Sequence, residues 1–120
     1  MNRPLSQEEY ELARWMLEHG TPEARDYLPQ LEHAEVTPWR CPCGCASLNF
    51  RITGHAEPPP GVHVLADFLT GGEESPSGVF IFACGGVLSG IEVYGLASEA
   101  PRALPTVDDL RPFQTGAQPN

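Results

Sequence analysis

Val79-Phe80-Ile81-Phe82-Ala83-Cys84-Gly85-Gly86-Val87-Leu88-Ser89-Gly90-Ile91-Glu92-Val93-Tyr94 decides the fold. Val79 to Cys84 is apolar without interruption, as in strands covered on both faces, so it predicts a central strand. Gly85-Gly86 supplies the two positive-φ positions of a tight hairpin turn. Val87 to Leu96 then returns, with Ile91 and Val93 on one face and Leu88, Glu92 and Tyr94 on the other.

Upstream, Leu48, Phe50 and Ile52 alternate with Asn49, Arg51 and Thr53, the pattern of a half-buried strand. Val62, Val64, Ala66 and Phe68 predict another strand, entered through the stiff loop Glu57-Pro58-Pro59-Pro60-Gly61. Gly71 to Gly78, which includes Glu73 and Glu74, reads as a solvated turn. A short strand over 34–40 is broken by Pro38.

The N-terminal region switches to helical period. Ser6 and Glu9 form a capping box, flanked by Leu5 and Tyr10 as a hydrophobic staple. Leu12, Ala13, Met16 and Leu17 then make one apolar stripe, with Trp15 beside it. The spacing predicts a helix over 7–19, ended by Gly20 at the C′ position. Thr21 and Pro22 open a second, shorter helix that buries Ala24, Tyr27, Leu28 and Leu31 and is limited by Pro29. Thr106 to Leu110 predicts one capped helical turn. The fold class is α+β: an N-terminal helical hairpin packed on an antiparallel sheet of about four strands. Residues 1–115 are expected to form one domain and 116–120 a disordered tail.

Sixteen acidic side chains against seven basic ones give a formal charge of −9, a field that repels phosphate backbones and anionic bilayers. Nucleic acid and membrane are therefore not expected as partners, whereas a basic protein is compatible. The polar start Met1 to Glu11 has no apolar signal core, and no run reaches the roughly 20 apolar residues of a membrane span. A cytoplasmic location is expected. There thiols stay reduced, so clustered cysteines read as metal-binding or redox-active before they read as a disulfide framework.

The cluster is Cys41-Pro42-Cys43-Gly44-Cys45. Thiolates select soft metals, and a zinc site normally draws them from C-x2-C knuckles. Here the spacing is one residue tighter, a compressed version of the Cys-Pro-x-Cys-Gly knuckle of rubredoxins and zinc ribbons. Cys41, Cys43 and Cys45 are the candidate zinc ligands. The fourth would come from Cys84, at the end of a strand, or from His33, His55 or His63. A redox reading rests on Cys43 and Cys45 across Gly44, where a small strained ring is easily reduced. The plain alternative is a turn whose cysteines pack as small apolar groups.

Other chemistry is thinly marked. Asp108 and Asp109 fall in the first turn of a helix, where the dipole favours acids. Ser75, Ser77, Ser89 and Ser98 lack a G-x-S-x-G setting, and neither glycine pair forms a phosphate loop. His19 belongs to no ligand spacing, and no catalytic residue is assigned.

The segment from Arg40 to Leu48 resembles one in small bacterial single-domain proteins with a C-x-C-G-C-x-S stretch. Gly86 to Tyr94 is similar to their closing L-S-x-I-E-V-Y hairpin, and Leu104 to Leu110 to their C-terminal turn. The resemblance spans 36–112. It implies a bacterial, single-domain protein and carries no activity. The leading expectation is a non-catalytic binding protein for a basic partner, of an inhibitor or immunity type; the alternatives are a zinc-binding protein and a thiol redox protein.

Overall fold

The computed structural model describes residues 1–72, 74–96 and 99–112. Seven strands form one antiparallel sheet: β1 (Arg3–Pro4), β2 (Ala34–Val36), β3 (Leu48–Ile52), β4 (His63–Thr70), β5 (Ser77–Cys84), β6 (Val87–Gly95) and β7 (Arg111–Pro112). Their spatial order is β1-β2-β3-β6-β5-β4-β7. The expectation of about four strands is therefore too low. The strands that the pattern misses or leaves doubtful are the short outer ones. Two of them contain proline, which a sheet tolerates only at its edge.

The hairpin β5–β6 sits at the centre, turning at Gly85 and Gly86 with φ of +62° and +81°. Val79, Ile81 and Ala83 enter the main core, while Phe80 and Phe82 face the other side. Part of that far side is covered by the sheet's own rings. Phe80 lies 5.7 Å from Phe82 and 5.9 Å from Tyr94. Tyr94 covers Gly78 and Phe82 approaches Gly90, so bare backbone is shielded by aromatic neighbours.

Two bulges change which residues face the core. Phe82 pairs with Gly90 but Ala83 with Leu88, which leaves Ser89 as the extra residue. Leu88 thereby joins Ile91 and Val93 in the core and is fully buried, against the alternation expected from sequence. In β4 the register slips at Leu65, between Val64 and Ala66. Leu65 and Ala66 are both buried, and Val62 and Val64 are left exposed.

α1 (Gln7–Glu18) buries the expected stripe Leu12, Ala13, Met16 and Leu17 against β4 and β5. The helical hairpin itself needs correction. After α1 come a 3-10 helix (Pro22–Tyr27) and a single α turn, α2 (Leu28–Leu31). Thr21 makes no side-chain cap, so little holds a wider α-helix there. Gly20 also acts differently from the expected C′ role. Its φ is not positive; it is needed because a Cβ would lie 2.3 Å from the Leu65 carbonyl oxygen. The helical turn near the C-terminus is a 3-10 turn, Val107–Asp109. The expected tail falls on residues outside those described. Among the described residues, no helix is long and apolar enough to cross a membrane.

The start of α1 is fastened by charge. Ser6 Oγ accepts from the Glu9 N–H at 3.1 Å, and Glu9 Oε1 accepts from the Ser6 N–H at 2.8 Å. Arg3 of β1 grips the same carboxylate with both guanidinium nitrogens at 2.9 Å. Arg3, outweighing partial burial, holds the Glu9 carboxyl below its usual range. Stability from this link is present above the ordinary carboxylate pKa and is lost as pH falls through the folded value. Glu9→Gln should cost about 1 kcal/mol at neutral pH, and the gap to the parent should shrink in acid. Urea midpoints at both pH values check this; an equal gap in acid would remove the charge from the account.

Candidate metal centre

The segment between β2 and β3 carries the cysteines. The Gly44 N–H donates to the Cys41 carbonyl at 2.9 Å, closing a turn that Gly44 leaves with φ +86°. Alternate residues of an extended chain point to one side, and this turn draws those side chains closer. The thiol sulfurs of Cys41, Cys43 and Cys45 lie within 4.8 Å of one another. Cys41 Sγ and Cys43 Sγ are 3.0 Å apart, and the Cys45 N–H donates to Cys43 Sγ at 3.4 Å. All four cysteines are free thiols.

Cys45 is anchored from the sheet. Its Sγ lies 3.2 Å from Ser47 Oγ, which itself accepts from the Val93 N–H of β6 at 3.0 Å. The serine hydrogen is thus left for the sulfur. Burial opposes the Cys45 thiolate, but the Ser47 hydroxyl and backbone, with the Cys43 and Cys41 thiols, outweigh it and bring the pKa down to about 7. Hydrogen bonding to Cys41, then to Cys45, pushes the exposed Cys43 up to about 11. Cys45 therefore ionises before Cys43.

The other expected ligands lie elsewhere. Cys84 ends β5 on the far side of the sheet, where its thiol donates to the Pro60 carbonyl at 3.4 Å. It is not in the metal-capable group found among the described residues. Nor are the histidines: His63 Nε2 pairs with Glu23 at 2.8 Å, and the His33 and His55 backbones bond near the end of β3. The sequence pairing Cys43 with Cys45 for redox chemistry also changes, since Cys43 Sγ meets Cys41 Sγ across Pro42.

Two residues of the site escaped the sequence reading. Ser47 was visible in principle, because residues two apart in an extended segment share a side. Arg102 carried no sequence signal. It reaches back over the turn, with Nη1 3.4 Å from the Gly44 carbonyl, while the Ala46 N–H donates to the Pro101 carbonyl at 3.0 Å. Arg40, Cys45, Ser47 and Arg102 border a cleft of about 690 Å³ that continues to the first turns of α1.

Asp108 and Asp109 stand in the 3-10 turn, as dipole logic expects, and Asp108 borders the far end of that cleft. Comparison with known proteins finds no matching family, no matching curated protein and no matching solved structure.

Proposed function

We propose that the protein binds a soft metal ion, zinc in the first instance, through Cys41, Cys43 and Cys45. The observation that carries this is the approach of three thiol sulfurs to within 4.8 Å of one another in the connection between β2 and β3. Zinc–sulfur bonds of about 2.3 Å in a tetrahedron set sulfurs roughly 3.8 Å apart. The thiols need move by only about 1 Å to meet that spacing. The hydroxyl beside Cys45 favours its thiolate, the form that binds metal, whereas Cys43 has to give up its proton as the metal binds. Three protein ligands leave a coordination position for an outside group, as in catalytic rather than structural zinc sites. The test is native mass spectrometry of protein purified under reducing conditions without added metal. A mass excess of one zinc, removed by chelator, is the expected result. A metal-free mass that stays so after zinc addition would sink the reading.

A second reading, binding of a basic protein partner, is favoured by the far face of the sheet. Trp39 and Val64 are exposed there at 43% and 39%, and Trp39 and Phe82 border a shallow groove of about 1040 Å³ that includes the proline loop. The overall charge of −9 would steer a cationic partner. Trp39→Ala should then weaken capture of that partner, and undiminished capture would remove this face from consideration.

A further inference from the structure

The cleft beside Cys45 has a division of charge that the metal reading does not use. At the cysteine end stand Arg40 and Arg102, and at the helix end Glu8, Glu11 and Asp108. Arg40 has no ion-pair partner among the described residues, and the contact of Arg102 with Glu99 is long, 3.8 Å, between side chains that are 69% and 89% exposed. Such a pair holds the guanidinium only weakly. Glu8 and Asp108 are likewise without an ion-pair partner among the described residues, whereas Glu9 is spent on Arg3. At about 690 Å³ the cleft falls in the range of small-molecule sites. A ligand matched to it carries carboxylate at one end and ammonium at the other. The cation end is also the thiol end, because Cys45 belongs to both the metal-capable trio and the cleft wall.

We infer that this cleft binds a small zwitterionic thiol, of the size of a short cysteine-containing peptide, whose sulfur completes the coordination of the metal. The inference rests on the metal reading above. On binding, the ligand thiol gives its proton to solvent and its sulfur replaces a water on the metal. Its carboxylate lies against Arg40 and Arg102, and its ammonium turns to the acidic end.

Cobalt(II)-loaded protein tests this, with glutathione as the probe. Three comparison ligands are used: 2-mercaptoethanol, which has the thiol without the charges; S-methylglutathione, which has the charges without a free thiol; and alanine, which has a zwitterion only. Glutathione should shift the visible cobalt bands and saturate, binding at least about tenfold more tightly than 2-mercaptoethanol. S-methylglutathione and alanine should leave the bands in place. Arg40→Ala with Arg102→Ala should weaken glutathione by about tenfold while cobalt affinity stays as in the parent. Cobalt held but bands unmoved by glutathione, or bleached as the metal is stripped, overturns the inference and leaves the metal site standing. Equal binding by 2-mercaptoethanol overturns the role of the charged ends. Failure to hold cobalt at all overturns both.

Discussion

Cys43→Ser is expected to abolish metal retention, taking bound zinc from one ion per chain to none, while Cys84→Ser leaves it unchanged. Cys43 is exposed and outside the buried core, so its serine variant should fold as the parent does. Loss of metal then reports on ligation alone. Structural zinc contributes roughly 10 to 16 kcal/mol of apparent binding free energy in small domains, so removing one thiolate of three lowers affinity by orders of magnitude. Cys84 is the informative control, because its thiol sits on the Pro60 carbonyl across the sheet. Metal lost equally from both variants would mean that retention is not confined to the trio. Removing the metal from the parent should lower its melting temperature without unfolding it. Binding to the native state alone adds about 4 kcal/mol at a thousandfold excess over Kd, and the core is built from residues of α1 and the central strands.

Much of the candidate site was legible because cysteine chemistry is local. Three thiols spaced two apart on a turn must lie near one another, whatever the rest of the chain does. Cys84 shows the limit of that reasoning. The end of a strand is a good place from which to reach a loop, but the loop it reaches is the proline segment 57–61. Which neighbour a strand end meets is set by sheet order, and sheet order is non-local. Arg102 shows the same limit from the other side, since 58 residues separate it from the Gly44 carbonyl that it contacts.

The fold divides in a similar way. The β5–β6 hairpin and the buried stripe of α1 follow from local pattern and turn chemistry. Leu88 and Leu65 do not, because each bulge moves one residue out of the period-two alternation. The edge strands β1 and β7 are two residues each, too short for any periodicity. They are fixed by tertiary ties, such as Arg3 on Glu9 and Arg111 Nη1 on the Gly71 carbonyl at 2.8 Å.

Gly90→Ala is expected to be the most damaging conservative change in the sheet. Gly90 lies in β6, opposite Asn49 of β3 and Phe82 of β5. A Cβ there would stand 2.3 Å from the Leu48 carbonyl oxygen and 3.2 Å from the Phe82 ring. The ring can tilt, but the carbonyl belongs to the neighbouring strand and can move only with it. The substitution therefore forces β3 from β6 and disturbs the approach to Ser47 and the cysteine turn. Overpacking of this kind costs about 3 kcal/mol or more, a large share of the roughly 5 to 15 kcal/mol that holds a domain together. Two other glycines separate this effect from generic loss of glycine. At Gly86 a Cβ meets nothing within 4 Å but φ is +81°, so Ala should cost about 1 kcal/mol from backbone strain alone. At Gly72 there is neither a close neighbour among the described residues nor a positive φ, and Ala should be neutral or stabilise by about 0.5 kcal/mol. Guanidinium midpoints with constant slope would measure all three. If Gly90→Ala lost no more than Gly86→Ala, the close approach of β3 to β6 would not be a constraint on this fold.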